Sequence, residues 1–238
     1  MPADRENLYL VSFTRDMWVD IPGLGEGKIN AAFSRGGTDT LVQTVSGLLG
    51  GAEIDYVVQS NFAGFIALTR ALDGFEVDNQ HASTVTVQST GRVVDFPEGR
   101  ITLSGTDGLI YVRERKRLPS ATSTAPSGSA PLVGMLDRIA ERADDPAVLA
   151  ELMPMLVRNV KITGDLDMDD AFALVPLAAE LEREDVVGLM VPITGFGERG
   201  GASVNLVDGT AALGDAVRTD TLDAYVATTA RYAPTGTS

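Results

Sequence analysis

Arg113, Arg115, Lys116 and Arg117 crowd into one short stretch of a 238-residue chain whose formal net charge is −14. Arginine offers a rigid fork of N–H donors that matches phosphate oxygens in pairs. Arg113 and Arg115 stand at alternate positions where a helix gives way to an extended segment, so they would project the same way. That arrangement reads as an anion clamp. A helix C-terminus also draws cations through its dipole and free carbonyls, which accounts for one or two of the four and leaves both readings open. A second basic locus is Arg15, next to Asp16 and just after an apolar run, with Lys28 and Asn30 following a glycine-rich stretch. It reads either as a local ion pair and turn or as a site built at a strand end. Asp16 is expected to pair with a neighbouring arginine.

The elements that must position these residues follow from periodicity. Residues 8–13 form an apolar, branched and aromatic run, which predicts a buried strand. Residues 21–27 hold one Pro and three Gly, which predicts a loop. A helix is expected over 38–49, with Leu41, Val45, Leu48 and Leu49 on one face and Gly50 and Gly51 as the stop. Residues 54–58 read as a strand. Asn61 then caps a helix whose Phe62, Phe65, Ile66, Thr69 and Leu72 share a side, ended by Gly74. Residues 75–77, 84–87 and 92–95 read as strands, the last two a hairpin. Ser104 and Asp107 resemble a capping box for a helix ending near Arg113. Residues 119–131 are almost all Ser, Thr, Ala, Gly and Pro and read as a flexible loop. Helices are expected over 132–142, over 146–157 with Pro154 kinking it, and from Asp167 with Pro176 in its middle. Strands are expected over 186–193 and 203–207, short helices after Asp208 and Thr219, and a disordered tail over 234–238. Interspersed strands and helices around a central hairpin predict an α/β (α+β) fold. The chain reads as a single domain over 1–233.

Composition narrows the function. The 44% hydrophobic and 22% charged shares are those of a globular protein. The acidic balance opposes nucleic-acid binding. There is no cysteine, which excludes disulfides and thiolate chemistry. The single histidine, His81, cannot build a multi-histidine metal site and reads as a surface residue. No run approaches the ~20 apolar residues that cross a bilayer, and the polar N-terminus carries no secretory signal. The chain as written is therefore expected to remain in the cytoplasm.

Three ordered stretches resemble the LytR-CpsA-Psr family: VSFTRDMWVDIPGLGEGKINAAFSRGG (11–37), IDYVVQSNFAGFIALTRALDGFEV (54–77) and DFPEGRITLSGTDGLIYVRER (95–115). A weaker likeness continues to VPITGFG (191–197). The resemblance implies a three-layer α/β/α sandwich with a central mixed sheet and an apolar pocket for a polyprenyl tail. It implies transfer of a glycopolymer from a polyprenyl-pyrophosphate carrier to peptidoglycan or a related acceptor, outside the cytoplasmic membrane. The membrane surface is met only through the lipid substrate. By resemblance, Arg15 and Lys28 bind the pyrophosphate, and Arg113 and Arg115 bind it and act in catalysis. Magnesium is also implied, but the family's Gly-x-Asp and Arg-x-Asp motifs, the expected acidic ligands, have no counterpart here, and no metal ligand is assigned. After Arg115 the family's Asp, Arg and Arg-Gln pair give way to a stretch with no charge between Arg117 and Asp137. An alternative therefore stands beside transfer: a degenerate domain that binds polyprenyl-linked phosphate, or a protein partner, without turnover.

Overall fold

The computed structural model describes residues 7–113, 130–142, 159–163 and 185–228. Arg115, Lys116, Arg117, residues 119–129 of the expected loop, the helices expected over 146–157 and from Asp167, and the tail lie outside them; the last two residues of that loop, Ala130 and Pro131, are helical. The backbone divides into two compact units. Of the described residues, the first unit holds 7–54 and 187–228, and the second holds 55–113, 130–142, 159–163 and 185–186.

In the first unit, β1 (Leu8–Ser12) pairs with β10 (Val186–Met190). β2 (Met17–Ile21) alternates strictly, with Met17, Val19 and Ile21 buried and Asp20 exposed on the opposite face. This is the period-two pattern of a half-buried strand. β2 turns into β3 (Gly25–Lys28), antiparallel to it. The 21–27 stretch is thus not one loop. Only its middle turns, with Gly23 at φ 75°, and its second half is strand. Glycine hides such a strand because it has no side chain to show alternation. Here the bareness has a use: a Cβ on Gly27 would meet Ile21 Cδ1 at 3.3 Å.

β11 (Ile193–Arg199) and β12 (Ala202–Val207) form an antiparallel pair, and β12 runs parallel to β2. The sheet order is β11-β12-β2-β3, a mixed sheet. α1 (Ile29–Leu48) begins directly after β3 and is broken at Gly37, φ 79° and ψ −166°. The second half is the helix expected over 38–49. The first half went unseen because Gly36 and Gly37 separate it from the apolar period that follows. Leu41, Val45, Leu48 and Leu49 pack on Met17, Val19, Ile21 and Leu213. α5 (Thr210–Arg218) and α6 (Leu222–Thr228) follow as expected. Gly214 lets α5 lie directly on the Leu49 backbone, where a Cβ would collide.

In the second unit, β4 (Val57–Ser60) pairs with β9 (Val160–Thr163). α2 (Phe62–Ala71) is capped by Asn61, whose Oδ1 accepts from the Gly64 N–H at 2.7 Å. Gly74, at φ 95°, closes its end by donating to the Thr69 carbonyl. β5 (Phe75–Asn79) pairs with β8 (Gly99–Leu103), a strand the sequence did not signal, and β6 (Ser83–Thr86) with β7 (Val93–Phe96) forms the expected hairpin. α3 (Gly105–Arg113) and α4 (Ala130–Arg142) complete it. Phe75, Val77, Phe96, Leu103, Tyr111 and Met135 form its core. Full burial of each large side chain stabilises by roughly 1.5–3 kcal/mol. Asn79 is buried and ties three segments, donating to the carbonyls of His81 (2.8 Å) and Pro97 (2.7 Å) and accepting from the Tyr111 hydroxyl (3.3 Å). His81 itself is on the surface.

Candidate functional site

Arg15 sits in a tight turn between β1 and β2, closed by the Met17 N–H donating to the Thr14 carbonyl at 3.1 Å. Its neighbours fix that turn from two directions. The Asn30 N–H donates to the Arg15 carbonyl (3.3 Å) and the Asn205 N–H to the Asp16 carbonyl (2.9 Å). Asn205 Nδ2 also donates to Thr14 Oγ1 at 2.9 Å. Asn205 gave no sign in the sequence beyond belonging to an expected strand, because its role depends on β12 lying next to β2. The Arg15 side chain is 66% exposed, whereas that of Asp16 is 7% exposed. Lys28 stands across from Trp18 in the hairpin and gives Asp16 Oδ1 its ammonium at 3.1 Å; Arg15 Nε lies 4.0 Å from the same oxygen. The expected ion pair thus forms, but its nearer cation is Lys28 rather than the neighbouring arginine.

Arg113 is held differently. α2 and α3 run antiparallel, and their contacts show why. At one end, buried Thr69 accepts the Gly105 N–H at 2.9 Å on its Oγ1, and its carbonyl accepts from Ser104 Oγ at 3.2 Å. At the other, the Arg113 guanidinium lies over the Phe62 ring, 4.6 Å from its centroid. Gly108 lets α3 lie close on β5, since a Cβ there would sit 3.0 Å from the Phe75 ring. Ser104 and Asp107 therefore do not work as a capping box. Ser104 bonds to α2, and Asp107 pairs with Arg92. Phe62, expected on the same side of the helix as Phe65, is 58% exposed, because a first-turn residue lies beyond the core that Phe65 and Leu68 reach. Among the described residues no carboxylate pairs with Arg113.

The structure brings Arg15, Asp16 and Lys28 together in the first unit and places Arg113 with Phe62 in the second. Arg115 lies outside the described residues. A magnesium site needs several oxygen ligands, one or two of them carboxylates. Among the described residues no group of three or more acidic or histidine side chains could hold a metal. Asp16, the acid nearest the Arg15 turn, already faces two cations.

Residues 1–125, more than half of the chain, match the model of the LytR_cpsA_psr family. The chain belongs to this family. A teichoic acid transferase of Bacillus subtilis, TagT (polyisoprenyl-teichoic acid–peptidoglycan teichoic acid transferase), is 31% identical over 186 residues, covering 76% of this chain and 55% of the relative. The cell wall biosynthesis protein LcpA of Corynebacterium glutamicum is 26% identical, covering 87% of this chain and 45% of LcpA. The chain spans about half the length of these curated relatives. A solved structure of TagT bound to LIIa-WTA superposes with a TM-score of 0.69 at 25% identity, over 92% of this chain and 81% of that one. Helices with a mixed sheet are thus the fold of this LytR_cpsA_psr chain and of its solved relatives. No helix among the described residues is long and apolar enough to cross a membrane.

Proposed function

We propose that this LytR_cpsA_psr chain binds the pyrophosphate of a polyprenyl-linked glycopolymer and serves its transfer to peptidoglycan or a related acceptor in the cell envelope. The relatives named as teichoic acid–peptidoglycan transferases supply the reaction class. The observation that carries the reading is Arg113, an exposed guanidinium at a helix end, supported by a ring and paired with no described carboxylate.

In the reaction an acceptor hydroxyl attacks the phosphorus nearer the sugar. That phosphorus keeps its glycopolymer, its bond to the bridging oxygen breaks, the hydroxyl loses its proton, and polyprenyl phosphate leaves. Negative charge grows on the leaving phosphate and on the transferred group, and fixed cations stabilise it. Arg113 and Arg115 are assigned to the pyrophosphate oxygens. Lys28 is assigned to hold Asp16 and the Arg15 turn.

The test uses the whole chain with a polyprenyl-pyrophosphate-linked saccharide and peptidoglycan fragments, with release of polyprenyl phosphate followed by mass spectrometry. The expected result is release that falls at least about tenfold in Arg113→Ala, the loss of one charge-assisted contact. Release unchanged in that variant would overturn the assignment. Tight binding of the carrier with no release would leave a binding domain.

A further inference from the structure

Phe62 is a large apolar side chain that the core of the second unit does not take up. Phe65 and Leu68 pack inward from the same helix, while the Phe62 ring stays over half exposed and touches the guanidinium of Arg113. An arginine side chain gives up considerable rotamer freedom when it is ordered by a ligand, and contacts that order it beforehand improve binding. What supplies the order matters as much. A carboxylate occupies N–H donors and cancels the charge, as Asp16 does for Lys28. An aromatic face attracts the cation through its quadrupole and uses none of the five N–H donors. The Phe62–Arg113 distance is also set by a packed helix pair, latched by Thr69 and Gly105 at the far end, rather than by a loop.

We propose that Phe62 is the positioning residue for Arg113: its ring fixes the guanidinium while leaving the charge and donors open to a pyrophosphate. This rests on the pyrophosphate-binding reading above. The ligand chemistry is a pyrophosphate group, borne by a lipid or free in solution.

The test uses the full chain as wild type, Phe62→Leu, Phe62→Trp, Arg113→Ala and the Phe62→Leu/Arg113→Ala double variant. Calorimetric titration uses two probes, inorganic pyrophosphate and geranylgeranyl pyrophosphate in detergent micelles. Leucine keeps an apolar side chain and removes the π face; tryptophan keeps the face. The expected result is about two- to fivefold weaker binding of both probes by Phe62→Leu, the size of an exposed cation–π contact. Phe62→Trp should recover wild-type affinity, and the double variant should bind no more weakly than Arg113→Ala alone. In the ligand-free protein, the Arg113 Nε–H resonance should be ring-shifted, and Phe62→Leu should remove that shift.

An unshifted resonance in the wild type overturns the proposal. So does a Phe62→Leu loss that persists in the Arg113→Ala background, which would show Phe62 acting alone. A loss confined to the lipid-borne probe overturns it too, by placing the ring against the lipid. Failure of the underlying reading looks different: a wild type that binds neither probe, or Arg113→Ala binding like wild type, removes the pyrophosphate assignment, and this role with it, even where the ring shift is present.

Discussion

In the first unit two cations, Arg15 and Lys28, share the carboxylate of Asp16; in the second, Arg113 rests on an aromatic ring. Both arrangements restrain long, flexible side chains. They differ in what remains available. Among the described residues, the Asp16 carboxylate offsets one of the two positive charges, and the ammonium of Lys28 is bonded to this mostly buried carboxylate. No described carboxylate offsets the charge of the Arg113 guanidinium, and the ring uses none of its donors. The first arrangement suits a framework, since the pair ties the Arg15 turn to the β2–β3 hairpin. The second suits a ligand contact. Basic residues that look equivalent in a sequence can thus have different duties, decided by the group that restrains them.

The largest effect that separates the two regions is expected from Gly134→Ala. Gly134 brings α4 against β5, and a Cβ would fall on the Glu76 carbonyl oxygen. α4 also grips the end of α2, with Arg142 Nη1 donating to the Ala71 carbonyl (3.1 Å) and pairing with Asp73 (2.8 Å). Overpacking there should cost about 1–3 kcal/mol, measured by denaturant unfolding. Amide exchange should accelerate in α2, α3 and α4 and remain slow in β2 and β3. Equal acceleration in both units would show that the two basic regions do not rest on separate frameworks.

Asp16→Asn is expected to make the first region resemble the second. It frees Lys28 and Arg15, so inorganic pyrophosphate should bind a few-fold more tightly. Stability should fall by about 1–2 kcal/mol, since a mostly buried carboxylate loses its charge-assisted bond. Weaker pyrophosphate binding would instead mean that Asp16 orients Arg15 for the ligand, and the contrast between framework and contact would fail.

Thr69→Val keeps shape and removes the hydroxyl that accepts the Gly105 N–H. The stranded donor should cost about 1 kcal/mol of stability. The informative readout is the Arg113 Nε–H resonance. It should lose part of its ring shift if the latch at one end of the helix pair sets the geometry at the other.

Much of this organisation was legible in the sequence, for identifiable reasons. The Asn61 cap, the Gly74 stop and the 83–96 hairpin depend on local chemistry, which a single sequence carries. The family likeness rested on three ordered stretches, two of them wholly and the third largely within the described residues. What escaped was decided by tertiary neighbours. β3 was hidden by its glycines, and β8 shows its alternation only against β5. Asn205 matters because β12 lies parallel to β2. The exposure of Phe62 could not be read because a helical period cannot tell a first-turn residue beyond the core from one within it. Asp16 was foreseen as an ion-pair partner, but a hairpin register, Trp18 opposite Lys28, chose its nearer cation.

The smallest expected effect tests the comparison most directly. Asp16→Asn together with Lys28→Met removes one negative and one positive charge, so the net charge of the region is unchanged. Replacing a largely buried ion pair by uncharged side chains is often close to neutral for stability, because the desolvation cost disappears along with the attraction. If Lys28 serves only to hold Asp16, the double variant should bind pyrophosphate within about twofold of wild type, a range corresponding to less than about 0.5 kcal/mol. Asp16→Asn alone should tighten binding, so Lys28→Met in that background should reverse the gain. If the double variant instead bound as weakly as Arg113→Ala, the ammonium of Lys28 would be a ligand contact despite its carboxylate. Pairing would then not be what separates the two regions.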